Sequence, residues 1–172
     1  MTGAGRIVAL VMVGLLATAC TDKDALRGGD YGSGAGGAGA GVGSGSAADP
    51  KSPVYFQQAI GDRVFFAVDQ STLSDSARQT LDAQAKWLTT NTDFVATIEG
   101  HADEQGTREY NVALGERRAN NVREYLMSRG VAGSRLKTVS YGKERPVEIC
   151  SDEACYSKNR RAVTVLTIGL TG

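Results

Sequence analysis

Neither sign of charge is in excess: lysine plus arginine and aspartate plus glutamate stand at 19 each in a chain of 172 residues. Without a global basic field, nucleic acid and anionic bilayers lose their usual electrostatic hold, and nucleic acid is not an expected partner. Aromatic residues are only 6% of the chain, and Trp87, the lone tryptophan, lies inside a helical pattern, so no stacking platform for bases or sugars is offered. The single histidine, His101, argues against a catalytic zinc, which usually takes three protein ligands with nitrogen or sulfur among them. It also leaves Ser140 and Ser157 without a base to activate them as nucleophiles. After Ala19 no apolar run reaches the roughly 20 residues of a membrane-spanning helix, and no series of alternating strands of about ten residues could build a barrel. Length and ordinary apolar content fit one folded domain.

The N-terminus is different in kind. Arg6 precedes the uncharged apolar run from Ile7 to Ala17, too short to span a bilayer, and Ala17-Thr18-Ala19 supplies the small residues that a signal peptidase requires. Residues 1–19 are therefore expected to be a signal peptide. Cleavage after Ala19 would leave Cys20 first, and Leu16-Ala17-Thr18-Ala19-Cys20 resembles the lipobox of bacterial lipoproteins. Leucine usually stands three residues before such a cysteine; here Ala17 does, with Leu16 one place earlier. Lipidation at Cys20 is expected, and two or three acyl chains at about 0.8 kcal/mol per buried methylene would anchor the chain almost permanently. Of three cysteines, that leaves Cys150 and Cys155 as an even pair in an oxidising compartment, where a disulfide between them would stabilise the fold by roughly 2 kcal/mol.

Gly28 to Ser46 is almost wholly glycine, alanine and serine, which buries too little apolar surface to offset the entropy of ordering. Residues 20–52 thus read as a lipidated N-terminus and flexible tether, with a reach of about 30 Å as a coil and roughly 110 Å fully stretched. Gly34 to Gly39 matches the dinucleotide fingerprint, but no strand precedes it and no amphipathic helix follows, so no nucleotide or other cofactor is expected. From residue 53 to 172 the pattern is globular. Val64–Val68, Phe94–Glu99, Leu136–Tyr141 and Val163–Ile168 read as strands. Ser74 caps a first helix with the apolar stripe Ala77, Leu81, Ala85 and Leu88; a second runs from about Thr107 to Arg129 and stops at Gly130. The expected fold is an α+β sandwich of order β-α-β-α-β-β, with a mixed four-stranded sheet and both helices on one face.

The chemistry concentrates in Gly100-His101-Ala102-Asp103-Glu104-Gln105-Gly106 and the helix after it. At about 100° per residue, Asn111, Leu114, Gly115, Arg118, Val122, Tyr125 and Leu126 share one stripe facing the sheet, while Arg117, Asn120 and Glu124 project outward. An inward guanidinium must find carboxylates or carbonyls. The pattern leaves two readings of Arg118 open: an internal ion pair with Asp103, Asp69 or Glu99, or the grip on a ligand. A zwitterionic ligand would use both groups, its ammonium on Asp103 and its carboxylate in the Arg118 fork. Meso-diaminopimelate, in Gram-negative peptidoglycan, presents that pair on one carbon. On this reading, removing Asp103 or Arg118 abolishes binding to sacculi and spares the fold. A metal-assisted amidase built on His101, Asp103 and Glu104 is the enzymatic rival; His101 is read instead as a loop residue holding the turn, with neither a catalytic residue nor a metal expected.

"EGHADEQGTREYNVALGERRANNVREYL", "VSYGKERP" and "YSKNRRAV" closely resemble the peptidoglycan-associated lipoproteins, within the OmpA-like domain family, over Pro53 to Gly172. By position, the resemblance implies that Asp103 and Arg118 bind diaminopimelate, with Asp69, Asn111 and Leu114 completing the pocket. It further implies a place in the Tol-Pal system, contact with the β-propeller protein TolB, and support of outer-membrane constriction at division. Family members often carry phenylalanine directly before the aspartate where this chain has Val68. By the same analogy an aspartate directly after the lipidated cysteine is an inner-membrane signal; Thr21 stands there, which implies the outer membrane.

Overall fold

The computed structural model describes residues 45–149 and 151–169. The expectations placed on Cys20, on residues 1–19, on Gly34–Gly39 and on Cys150 lie outside them. A short helix α1 (Pro53–Tyr55), capped by Ser52, runs on into wider π-type turns over Phe56–Gly61. Then follow β1 (Arg63–Phe65), α2 (Asp75–Thr90), β2 (Phe94–His101), α3 (Arg108–Ser128), a 3₁₀ turn (Gly133–Arg135), β3 (Leu136–Gly142), α4 (Glu153–Asn159) and β4 (Arg161–Ile168). No helix among the described residues is long and apolar enough to cross a membrane.

The sheet order is β1-β4-β2-β3, with β2 and β3 parallel and β4 antiparallel to both its neighbours. The mixed α+β sandwich and the order of its main elements are those the sequence predicts. Two details differ. The first strand ends at Phe65 rather than Val68, because the chain turns there: the Gln70 amide donates to the Ala67 carbonyl at 3.2 Å and Asp69 adopts a left-handed conformation with φ 57°. The stretch before β4, expected as loop, contains α4, capped by the Asp152 carboxylate, which accepts from the Cys155 amide at 3.0 Å.

Strand alternation places Val64, Ala96, Ile98, Ala162 and Leu166 on one buried face, against Ala77, Leu81, Ala85 and Leu88 of α2 and Ala119, Val122 and Leu126 of α3. Full burial of a leucine such as Leu81 is worth about 2–3 kcal/mol over exposure. Trp87 belongs to this core, its ring centroid 5.0 Å from Phe56 and 5.1 Å from Phe94, with its indole N–H given to the Pro50 carbonyl at 2.7 Å. Arg135 gathers the end of α2 and the start of β2 by donating to the carbonyls of Leu88, Asn91 and Phe94.

The site owes its position to how closely α3 lies on β2. A Cβ added at Gly100 would come within 1.8 Å of the Gly115 carbonyl oxygen, and one at Gly115 within 2.4 Å of Ser140 Oγ. Bare backbone at both positions lets helix and strand touch. The far end of α3 is closed as the sequence predicts, by Gly130 with φ 95°: the Gly130 amide donates to Met127 and the Val131 amide to Leu126, at 3.0 and 3.1 Å.

Candidate ligand-binding site

Six of the seven residues assigned to the inward stripe of α3 (Asn111, Leu114, Gly115, Arg118, Val122 and Leu126) are buried, and Arg117 is exposed. Thr107 caps the helix by accepting from the Tyr110 amide at 3.2 Å. The N-terminal half of α3, the β1 exit turn and the loop after β2 meet around a cavity of about 280 Å³, lined by Val68, Asp69, Asp103, Gln105, Gly106, Tyr110, Asn111, Leu114 and Arg118. All five residues expected to form the pocket are therefore brought together.

Arg118 is 0% exposed. Its Nε donates to the Gln70 carbonyl at 2.8 Å, Nη1 to that of His101 at 2.7 Å and Nη2 to that of Ala67 at 3.2 Å. Its guanidinium also lies 5.0 Å from the centroid of the Phe66 ring. Among the described residues no carboxylate pairs with it, so the internal ion pair is not formed and carbonyls take its place. Burial pushes its pKa down to about 10, against the pull of Asp103 and Asp69, with Arg160 and Arg117 adding to the fall. It stays charged at neutral pH and holds the turn that carries Asp69. One N–H on each Nη is left over from these bonds.

The ion pair to Asp103 comes from elsewhere. Arg160, immediately before β4, reaches Asp103 Oδ2 through Nη1 at 3.1 Å, Glu153 through Nη1 and Nη2, and the Phe66 carbonyl through Nε at 3.2 Å. The hydrogen bond with Glu153 holds the Arg160 pKa above the ordinary arginine value, against desolvation, and Arg160 in turn lowers that of Glu153. The other oxygen of Asp103 accepts from the Gln105 amide at 3.3 Å. Asn111 Nδ2 donates to the Gln105 carbonyl at 2.7 Å, and Lys143 Nζ to that of Gly106 at 2.7 Å, so the loop is fixed from both sides.

Two contributors were missed from the sequence. Arg160 sits in "YSKNRRAV", where two arginines open an apolar strand; a buried charge there must have a partner, which is the signal that could have found it. Tyr110 is exposed and off the inward stripe, so helical periodicity does not pick it out. Its hydroxyl bonds the Asp69 carboxylate, and its ring walls the cavity beside Val68.

His101 corrects an expectation. It is the last residue of β2, its backbone carbonyl takes Arg118, and the residue is 1% exposed. The ring does not hold the turn, for neither nitrogen has a hydrogen bond among the described residues. Glu99 Oε2 is 3.7 Å from Nε2, a distance that makes an ion pair only if the ring is protonated. Burial, reinforced by Arg161, Arg145 and Arg63, pushes its pKa down to about 3, so it is neutral. Ser140 and Ser157 give their hydroxyls to the carbonyls of Val112 and Ala154.

With this geometry in view, the chain's similarities are specific. The OmpA family matches residues 65–160. The chain is 51% identical over 160 residues to the peptidoglycan-associated lipoprotein of Rhizobium meliloti (strain 1021), covering 93% of this chain and 86% of that one. It is similar to the crystal structure of the peptidoglycan-associated lipoprotein from Burkholderia pseudomallei, with TM-score 0.63 and 37% identity over 70% of this chain and 98% of the other. The C-terminal domain of Helicobacter pylori MotB, at 19% identity and TM-score 0.59 over 63% of this chain and 86% of that one, shares the fold alone. The first two are named for association with peptidoglycan. It belongs to the OmpA family, among the peptidoglycan-associated lipoproteins.

Proposed function

We propose that this chain is an outer-membrane lipoprotein that holds the diaminopimelate-containing peptide stem of peptidoglycan, non-covalently, in the pocket of Asp103, Arg118, Asp69, Asn111 and Leu114. In this reading residues 1–19 are removed, Cys20 carries the lipid, residues 20–52 tether residues 53–172 to the membrane, and Cys150 pairs with Cys155. The protein then links outer membrane to wall within the Tol-Pal system, with TolB as a partner, and supports constriction at division.

The observation that carries the reading is charge separation inside one small cavity. An ammonium and a carboxylate on one carbon match a carboxylate, Asp103, and a guanidinium with leftover N–H donors, Arg118, that line the same cavity. Leu114 gives the stem's methylenes an apolar wall. The names of the relatives support the same polymer.

Co-sedimentation with sacculi tests it. Asp103→Ala is expected to weaken binding by roughly 30-fold to several thousand-fold, the effect of about 2–5 kcal/mol for truncating one partner of a desolvated charge contact, whereas exposed Arg117→Ala changes it little. Sacculi with lysine in place of diaminopimelate lack the carboxylate on that carbon and are expected to bind poorly. Equal retention of both polymers, or wild-type retention by Asp103→Ala, would sink the assignment.

A further inference from the structure

Asp103 can serve a cationic ligand only if its carboxylate is correctly turned, and a side chain outside the pocket's lining holds it. We infer that Arg160 is a positioning residue for ligand binding, acting through Asp103; this rests on the stem-binding reading above.

Arg160 is only 3% exposed. It binds one oxygen of Asp103 while the Gln105 amide takes the other, so this carboxylate of the cavity's lining is pinned at both ends. Its Nε also takes the Phe66 carbonyl, and its own carbonyl accepts the Phe66 amide at 2.9 Å. Arg160 therefore clamps the chain just before the turn that Arg118 clamps at Ala67 and Gln70. Glu153, on α4, holds the far side of the guanidinium. Three segments of the chain thus converge on one side chain, which is not itself part of the cavity's lining.

A second carboxylate on Arg160 keeps it from cancelling Asp103. Shared between Asp103 and the more exposed Glu153, the guanidinium orients the pocket carboxylate and leaves it net negative charge to offer an ammonium. The charged groups that bear on Asp103 are Arg118 from α3 and Arg160, with Glu153 behind it, while Asp69 from the β1 exit turn acts on Arg118.

The test uses the full-length protein in detergent and a synthetic L-Ala-γ-D-Glu-meso-diaminopimelate tripeptide, with affinity measured calorimetrically at neutral pH. Arg160→Met, which frees the Asp103 carboxylate from one of its two holds, is expected to bind about tenfold more weakly. In an Asp103→Asn background the same change should cost little more, because Arg160 acts through that carboxylate. Arg160→Lys, which keeps a cationic donor, should recover part of the loss. If Arg160→Met does not fold, the lysine variant carries the test: weaker binding that Asp103→Asn makes redundant supports the inference. Wild-type affinity in whichever of the two variants is read would overturn it, as would a full additional loss on top of Asp103→Asn. A wild-type protein that ignores the tripeptide would instead remove the stem-binding reading itself.

Discussion

Arg118, on α3, and His101, the last residue of β2, are both buried polar residues, and their burial has opposite consequences. Arg118 spends three donors on the carbonyls of Ala67, Gln70 and His101. The expectation that Arg118→Ala spares the fold therefore does not suit this arrangement: it orphans three carbonyls and opens a cavity where a 0% exposed side chain stood. Arg118→Ala should lose about 3–5 kcal/mol of unfolding free energy in urea titration, so Asp103→Ala is the cleaner probe of binding. His101 is the reverse case, a group kept neutral. Its folded pKa of about 3 lies below the ordinary value of about 6.5, so between those limits the unfolded chain binds the extra proton. Its contribution to stability is complete above pH 6.5 and is lost as pH falls toward 3, by as much as a few kcal/mol. As the only histidine, its ring protons can be followed by NMR and should show no titration in the folded protein down to pH 5. His101→Gln should flatten the fall of stability with acid; a ring that titrates near 6.5 would contradict this account.

At the scale of elements, the decisive contact is the crossing of α3 over β2 at Gly115 and Gly100. A methyl group at either has backbone or Ser140 Oγ in its way, so Gly100→Ala and Gly115→Ala are each expected to destabilise by about 1–3 kcal/mol in thermal unfolding. Both should also weaken stem binding, because Arg118 lies one turn beyond Gly115 and moves with the helix. Gly130→Ala tests the other end of α3: with φ 95° and open space around it, it should cost about 1 kcal/mol from backbone strain alone and leave binding unchanged. The α3 stripe was legible because a helix with one buried face has a fixed period. Helix α4 was not, since its seven residues are too few to display a period and its start depends on the Asp152 cap.

At the scale of the whole molecule, the folded part and the proposed anchor are tested separately. Cys155 is buried and disulfide-bonded, and peptide mapping without reduction is expected to return a Cys150–Cys155 bridge. Cys155→Ser should then lower stability by roughly 2 kcal/mol, the loop entropy of so short a ring. Intact mass of the mature protein should show cleavage before Cys20 plus the mass of acyl chains; cleavage without added mass would remove the anchor and keep the binding domain.

Periodicity, caps and turn residues by themselves determined the strands, α2, α3 with its inward Arg118, and the closing Gly130, since each depends on neighbours a few positions away. The order β1-β4-β2-β3, the short first strand and the partners of the buried charges were decided only by tertiary structure. The reason is distance along the chain. Arg160 meets Asp103 across 57 positions and Arg118 meets Ala67 across 51, and no local pattern specifies which carboxylate or carbonyl a buried arginine will find. The sequence required that Arg118 be satisfied; the fold chose carbonyls for it and gave Asp103 to Arg160.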